Sequence, residues 1–242
     1  MSAAAPEYLV DVRAEWLRRL RADVIDPIRR DVGAHPFLVG AVAGTLPIEA
    51  IRAYLTGLLW NIAGFPECVA ALASRTPRHD HETKRLLLQN AAAEVEHPFA
   101  LADTVRYLGG DADGPLNGTT GGYRPPKAWF DHHSLLELYA YQKPWIEGVA
   151  AINVGIEAIV PSQIGPLGRA LHERYSVPRE RMQWFHWHGG EVEQEHGNDG
   201  LRLLERYVAE DDNETQALCA YAVERIGSML AHELPEDALA SI

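Results

Sequence analysis

Trp184-Phe185-His186-Trp187-His188-Gly189-Gly190-Glu191-Val192-Glu193-Gln194-Glu195-His196 places three histidines and three glutamates within thirteen residues. Imidazoles interleaved with carboxylates are ligand types that bind divalent metals, so the stretch reads as one wall of a metal site. Glu193 and His196 stand three apart, as do Glu94 and His97 in Ala93-Glu94-Val95-Glu96-His97. On an α-helix that spacing puts both side chains on one face. Paired Glu-x-x-His motifs on separate helices, each joined by a further carboxylate, are how helical bundles hold two iron or manganese ions. Composition alone produces about one such spacing by chance, so the rest of the chain has to decide.

Glu157 supplies the further carboxylate. It sits in Val149-Ala-Ala-Ile-Asn-Val-Gly-Ile-Glu-Ala-Ile-Val-Pro161, apolar on nearly every helical face. A desolvated carboxylate there is costly unless it binds a metal or pairs with an arginine such as Arg106 or Arg169. His188 adds a position on the third helix. At about 100° per residue, Glu193 and His196 fall roughly 140° and 80° from it, whereas Glu191 and Glu195 fall within about 60°. Either a single-turn π-bulge at Gly189-Gly190 brings Glu193 and His196 round to the face of His188, or the helix is regular and Glu195 takes part instead. The bulge is the reading adopted here.

Outward from this stretch the periodicity is helical throughout, and the fold class is all-α. Apolar positions Val12, Trp16, Leu20, Val24 and Ile28 define an amphipathic helix over 10–30. Further helices are expected over 36–43, from about Thr45-Leu-Pro47 to Ser74 with a kink near Pro66, and over 82–108 ending at Gly109-Gly110. A Gly/Pro-rich loop over 111–126 precedes helices over 127–142, 144–175 with a break near Pro161, 178–210 and 214–232. No internal repeat is present. Residues 1–242 read as a single domain, because site candidates fall on both sides of the loop.

With 242 residues, 47% of them hydrophobic, the chain can bury a substantial core. A formal charge of −12, from 22 Lys and Arg against 34 Asp and Glu, excludes nucleic acid as a natural partner. Cys68 and Cys219 are too few for a disulfide framework or a thiolate zinc site. No basic-then-apolar leader is seen, and no run approaches the roughly 20 apolar residues that span a bilayer. A soluble, cytoplasmic protein with no membrane partner is expected. His79, His81, His132 and His133 read as solvated or capping residues, and His35 as a turn residue. His186 reads as packed or as a support to the ligands, and the six tryptophans as core. Lys143 and Arg106 are the candidates for binding a substrate carboxylate.

Taken together, His35-Pro-Phe-Leu through Phe65-Pro66, Asn90–Gly109, Ala150–Pro161 and Trp184–Leu204 resemble the haem-oxygenase-like di-metal oxidases and oxygenases, relatives of thiaminase II and of pyrroloquinoline-quinone synthase. The resemblance implies a haem-oxygenase-like bundle of about seven helices, commonly dimeric, so a homodimer is expected. It implies six metal ligands: Glu94, His97, Glu157, His188, Glu193 and His196. The spacing on the third helix is one residue longer than the family's, and its acid is Glu rather than Asp. Two Fe(II) ions, with manganese possible, bridged by Glu157 and using O2 as cosubstrate, would act on a small carboxylic or amino acid by N-oxygenation or by oxidative C–C cleavage or decarboxylation. Two alternatives stand beside this. A ferritin-like di-iron bundle would use Glu67 and not His188, and a non-catalytic metabolite-binding protein would hold the His/Glu cluster as a salt-bridged network.

Overall fold

The computed structural model describes residues 11–118, 122–189 and 191–241, apart from the side chains of 191–194. Every regular element among them is helical. In chain order these are α1 (Glu15–Leu20), α2 (Asp26–Ala34), α3 (Pro36–Ala43), α4 (Ile48–Ala63), α5 (Phe65–Arg75), α6 (His81–Glu94), α7 (His97–Tyr107) and α8 (Asp113–Asn117). There follow α9 (Lys127–Tyr141), α10 (Trp145–Val149), α11 (Val160–Glu173), α12 (Gln183–His188), α13 (Glu191–Tyr207), α14 (Asn213–Ser228) and α15 (Leu234–Ala240). Three π-helical turns, Arg21–Ile25, Ala150–Val154 and Met229–Glu233, join α1 to α2, extend α10 and join α14 to α15.

The N-terminal helix expected over 10–30 starts at Glu15 and runs on through a π turn to Ala34, burying Trp16, Leu20 and Ile28; Val10 lies outside the described residues. His35 is more than a turn residue, because its Nδ1 accepts the Phe37 N–H at 3.2 Å and caps α3. Thr45 does not cap α4. Its hydroxyl donates back to the Gly40 carbonyl, and Pro47 takes the N-cap position. The span 48–75 is broken at Gly64, two residues before the expected kink. By length and composition Ile48–Arg75 is apolar enough to cross a membrane, contrary to the expectation that no run comes close, but 61% of its apolar 18-residue window is buried inside the fold, which makes it a core element.

Two breaks position the site. The single helix expected over 82–108 is two, with Glu94 closing α6 and His97 opening α7. Pro98 has no N–H to donate to the carbonyl of Glu94 and favours the first turn of a helix, so the ladder stops there. Pro161 stands in the same relation to Glu157, which lies in the irregular turn between the π segment and α11. The π segment Ala150–Val154 runs through the centre with every residue buried, packed against α13 and α14. Gly200 permits that approach, since a Cβ there would sit 2.8 Å from Asn153 Cβ, and Gly197 does the same for the turn after it, with 2.9 Å to the Ala158 backbone. Trp16, Trp129 and Trp184 are core residues as expected, and one apolar cluster links the N-terminal, central and C-terminal helices.

Candidate metal centre

Glu94 is the hub. Its Oε2 lies 2.6 Å from Nδ1 of His97 and 3.7 Å from Nε2 of His188, while its Oε1 lies 3.9 Å from Nδ1 of His196. The donor atoms fall into two groups, Glu94 with His97 and His188, and Glu94 with Glu157 and His196, each with its atoms within 4.8 Å of one another. Donors bonded to one ion at about 2.0–2.2 Å stand about 3–4 Å apart. The 3.7 and 3.9 Å separations already fall in that range, while the 2.6 Å Glu94–His97 contact would open around an ion.

His188, the last residue of α12, has Nδ1 2.9 Å from the Trp184 carbonyl. A carbonyl only accepts, so Nδ1 carries the proton and the Nε2 lone pair is turned toward Glu94. Trp184 stacks on the His188 ring at 4.3 Å, and Trp187 stacks on His97 at 4.9 Å. Trp187 is thus a half-buried cover for the site rather than a core residue.

Glu157 is fully buried, and each of its oxygens accepts an amide N–H at 2.9 Å, Oε1 from Asn90 and Oε2 from Asn153. Neither the Arg106 nor the Arg169 pairing holds, since Arg106 binds Asp113 at 2.6 Å and Arg169 is exposed. Among the described residues no lysine or arginine forms an ion pair with Glu94 or Glu157. Two buried carboxylates with only imidazole and amide neighbours lack a counter-charge, which a divalent cation would supply, so the residues present fit a metal.

The two acids are driven in opposite directions. Burial pushes Glu94 upward, but the His188 and His97 imidazoles beside it outweigh this and hold the carboxyl below its usual range. Burial, aided by the nearby Glu94 charge, raises Glu157 despite its two amide bonds. Burial also lowers His196, against the pull of Glu94.

The structure thus brings together Glu94, His97, Glu157, His188 and His196. The side chain of Glu193 lies outside the described residues, although its place in α13 is clear. Glu195 points away: it is exposed and binds Arg202 at 2.5 Å. In place of the expected π-bulge, α12 ends at His188 and α13 begins at Glu191, and Gly190 between them is not among the described residues. Glu67, the ferritin-like ligand, is exposed. Lys143 is exposed at the surface, as is the Arg106–Asp113 pair, so neither cation faces the centre. His186 is exposed rather than packed, whereas His132, expected to be solvated, is fully buried and His133 half-buried. Asn90 and Asn153 were missed by sequence reading, although Asn153 stands one helical turn before Glu157. A cavity of about 920 Å³ beside Arg52, Asp111 and Tyr123 is lined by none of these side chains. Donor chemistry marks this centre.

Residues 52–228 match a family described as iron-containing redox enzymes. Among solved structures, a TenA homologue from Pseudomonas syringae superposes with a TM-score of 0.80 at 15% identity, covering 94% of this chain and 93% of that one. A domain with a heme oxygenase-like fold from Shewanella denitrificans gives 0.76 at 13%, covering 93% and 92%. A TenA homologue from P. horikoshii gives 0.69 at 14%, covering 94% and 99%. At such identities the likeness establishes the haem-oxygenase-like fold alone. A comparison with curated proteins found no match.

Proposed function

The chain belongs to the haem-oxygenase-like family of iron-containing redox enzymes, and we propose that it is an O2-dependent non-haem di-iron oxidase or oxygenase of a small carboxylic or amino acid, acting by N-oxygenation or by oxidative C–C cleavage or decarboxylation. The observation that carries this reading is the sharing of Glu94, whose two oxygens face two different donor groups. One ion would be held by Glu94, His97 and His188. The other would be held by Glu94, Glu157 and His196, with Glu193 added from its place in the sequence. Glu94 therefore takes the bridging role that sequence reading gave to Glu157. Mixed Glu/His ligation suits Fe(II), with Mn(II) as the alternative occupant. When bound, such a pair supplies the electrons and open coordination positions for activating O2.

The chain's own part is preparation. The proton on Nδ1 of His188 keeps Nε2 available, and the short His97–Glu94 contact holds a proton that ion binding displaces. Trp184 and Trp187 cover the two imidazoles and exclude water. The two asparagines aim Glu157. A ferritin-like arrangement is disfavoured, because Glu67 is exposed while His188 is buried beside Glu94. The substrate class follows the family resemblance, as does the homodimer, which sedimentation would test.

Anaerobic Fe(II) titration followed by O2 tests the reading. Two ions per chain and an O2-dependent absorbance change are expected. Failure to bind metal, or a loaded protein silent toward O2, would leave the cluster a salt-bridged network and overturn the proposal.

A further inference from the structure

A second cleft, of about 400 Å³, opens between α11 and α12, and Glu94 is not in its lining. Arg169, His172, Arg179 and His186 line it above Gly165 and Gly189. Glu173 is the one carboxylate in the lining. In a chain of net charge −12 this is a local reversal of sign.

The arginines are set rather than loose. His172 Nδ1 donates to the Val177 carbonyl at 2.9 Å, which leaves Nε2 to accept the Arg179 Nε–H at 3.3 Å. That relay fixes the Arg179 guanidinium by its Nε edge and leaves its two terminal nitrogens for a ligand. The Arg169 guanidinium lies over Gly165, with Nη1 only 3.7 Å from where a Cβ would stand. Neither arginine forms an ion pair among the described residues. Planar guanidiniums flanking a concave, glycine-floored surface present paired donors that match a tetrahedral oxyanion.

We propose that this cleft binds the phosphate group of a small phosphorylated molecule. Two guanidiniums, with the His186 ring beside them and a single carboxylate in the lining, favour a doubly charged phosphate over a lone carboxylate, and the cleft is larger than either group, leaving room for the rest of the molecule. The site is independent of what the Glu94 centre holds. It touches Phe185 and Gly189, which flank His188, so a ligand here would also brace the break that ends α12.

The test is calorimetric titration of the full chain, stripped of metal by a chelator, with inorganic phosphate. Saturable binding to one site per chain is expected, weakened at least about tenfold in Arg169→Gln/Arg179→Gln. Arg174→Gln, outside the cleft, should bind as the parent does. His172→Ala should weaken binding less than the double variant. Absence of saturable phosphate binding, equal loss in Arg174→Gln, or tighter binding of citrate than of phosphate would each overturn the proposal. Sedimentation with phosphatidic-acid vesicles but no response to free phosphate would assign the cleft to a membrane surface and overturn it as well.

Discussion

Replacing Asn90 by leucine separates the aiming of Glu157 from the stability of the fold. Asn90 donates to Oε1 of Glu157 at 2.9 Å in a buried setting, while its own Oδ1 is buried without a protein partner. Loss of a hydrogen bond to the Glu157 carboxyl, which burial raises to about 8 in the metal-free chain, costs about 0.5–1.5 kcal/mol while that group is neutral and about 1.5–3 kcal/mol once it is charged. Leucine also removes the unmatched carbonyl oxygen, whose burial costs about 1–3 kcal/mol. In the metal-free chain these two effects nearly offset, and the melting temperature should move little. Metal affinity has no such compensation. A Glu157 carboxylate held by Asn153 alone rotates more freely, and loss of a supporting hydrogen bond to a ligand typically lowers affinity about 10- to 100-fold. The effect should fall on the position that uses Glu157 and His196, leaving the position of His97 and His188 near its parent affinity. Anaerobic titration against a competing chelator, run beside thermal unfolding, reads both quantities. Two tight ions in Asn90→Leu would refute the reasoning. So would a fall in stability as large as the fall in affinity, which would make Asn90 a packing residue.

Four further outcomes follow from the geometry. Burial, with help from the His133 and Arg225 charges, pushes the His132 imidazole down to about 3 from an ordinary 6.5. The unfolded chain therefore takes up a proton that the folded chain refuses, and stability falls by about 1.4 kcal/mol per pH unit below about 6.5; His132→Leu should flatten melting temperature against pH in that window. Gly189→Ala places a Cβ 2.8 Å from Gly165 Cα and from the Phe185 carbonyl oxygen, so it should destabilise by about 1–3 kcal/mol and weaken the position that uses His188. Glu195→Ala should leave metal stoichiometry unchanged and cost less than about 1 kcal/mol, its Arg202 pair being at the surface, whereas Glu193→Ala should lower the second ion's affinity. Glu67→Ala should keep two ions, and His188→Ala should keep one.

The all-α class and the ligand types were legible because helical periodicity and residue chemistry are local properties. How two of the acids reach the centre was also written locally, in a feature that the Glu-x-x-His reading passed over. Glu94 and Glu157 each stand four residues before a proline, Pro98 and Pro161. In both cases the proline cannot complete the helical bond to the acid's carbonyl, so the helix stops there and the acid sits at a break. Glu94 and His97 consequently meet across a helix junction, at 2.6 Å, rather than on one continuous face. On the third wall α12 ends at His188, the Gly189 N–H still bonding the Phe185 carbonyl at 2.9 Å, and α13 begins at Glu191, which is why angles counted along one unbroken helix put His188 and His196 on different faces. Side-chain partners were less legible. Whether Glu157 meets an arginine or two asparagines depends on which helices surround the π segment Ala150–Val154, and spacing along the chain does not encode that. The same holds for Arg106, whose partner Asp113 lies only seven residues on but across the turn after α7. Helix ends and breaks thus carry Glu94, His97, Glu157 and His188, whereas Glu193 and His196 lie inside α13, and a continuous-helix reading misplaces the acids' directions.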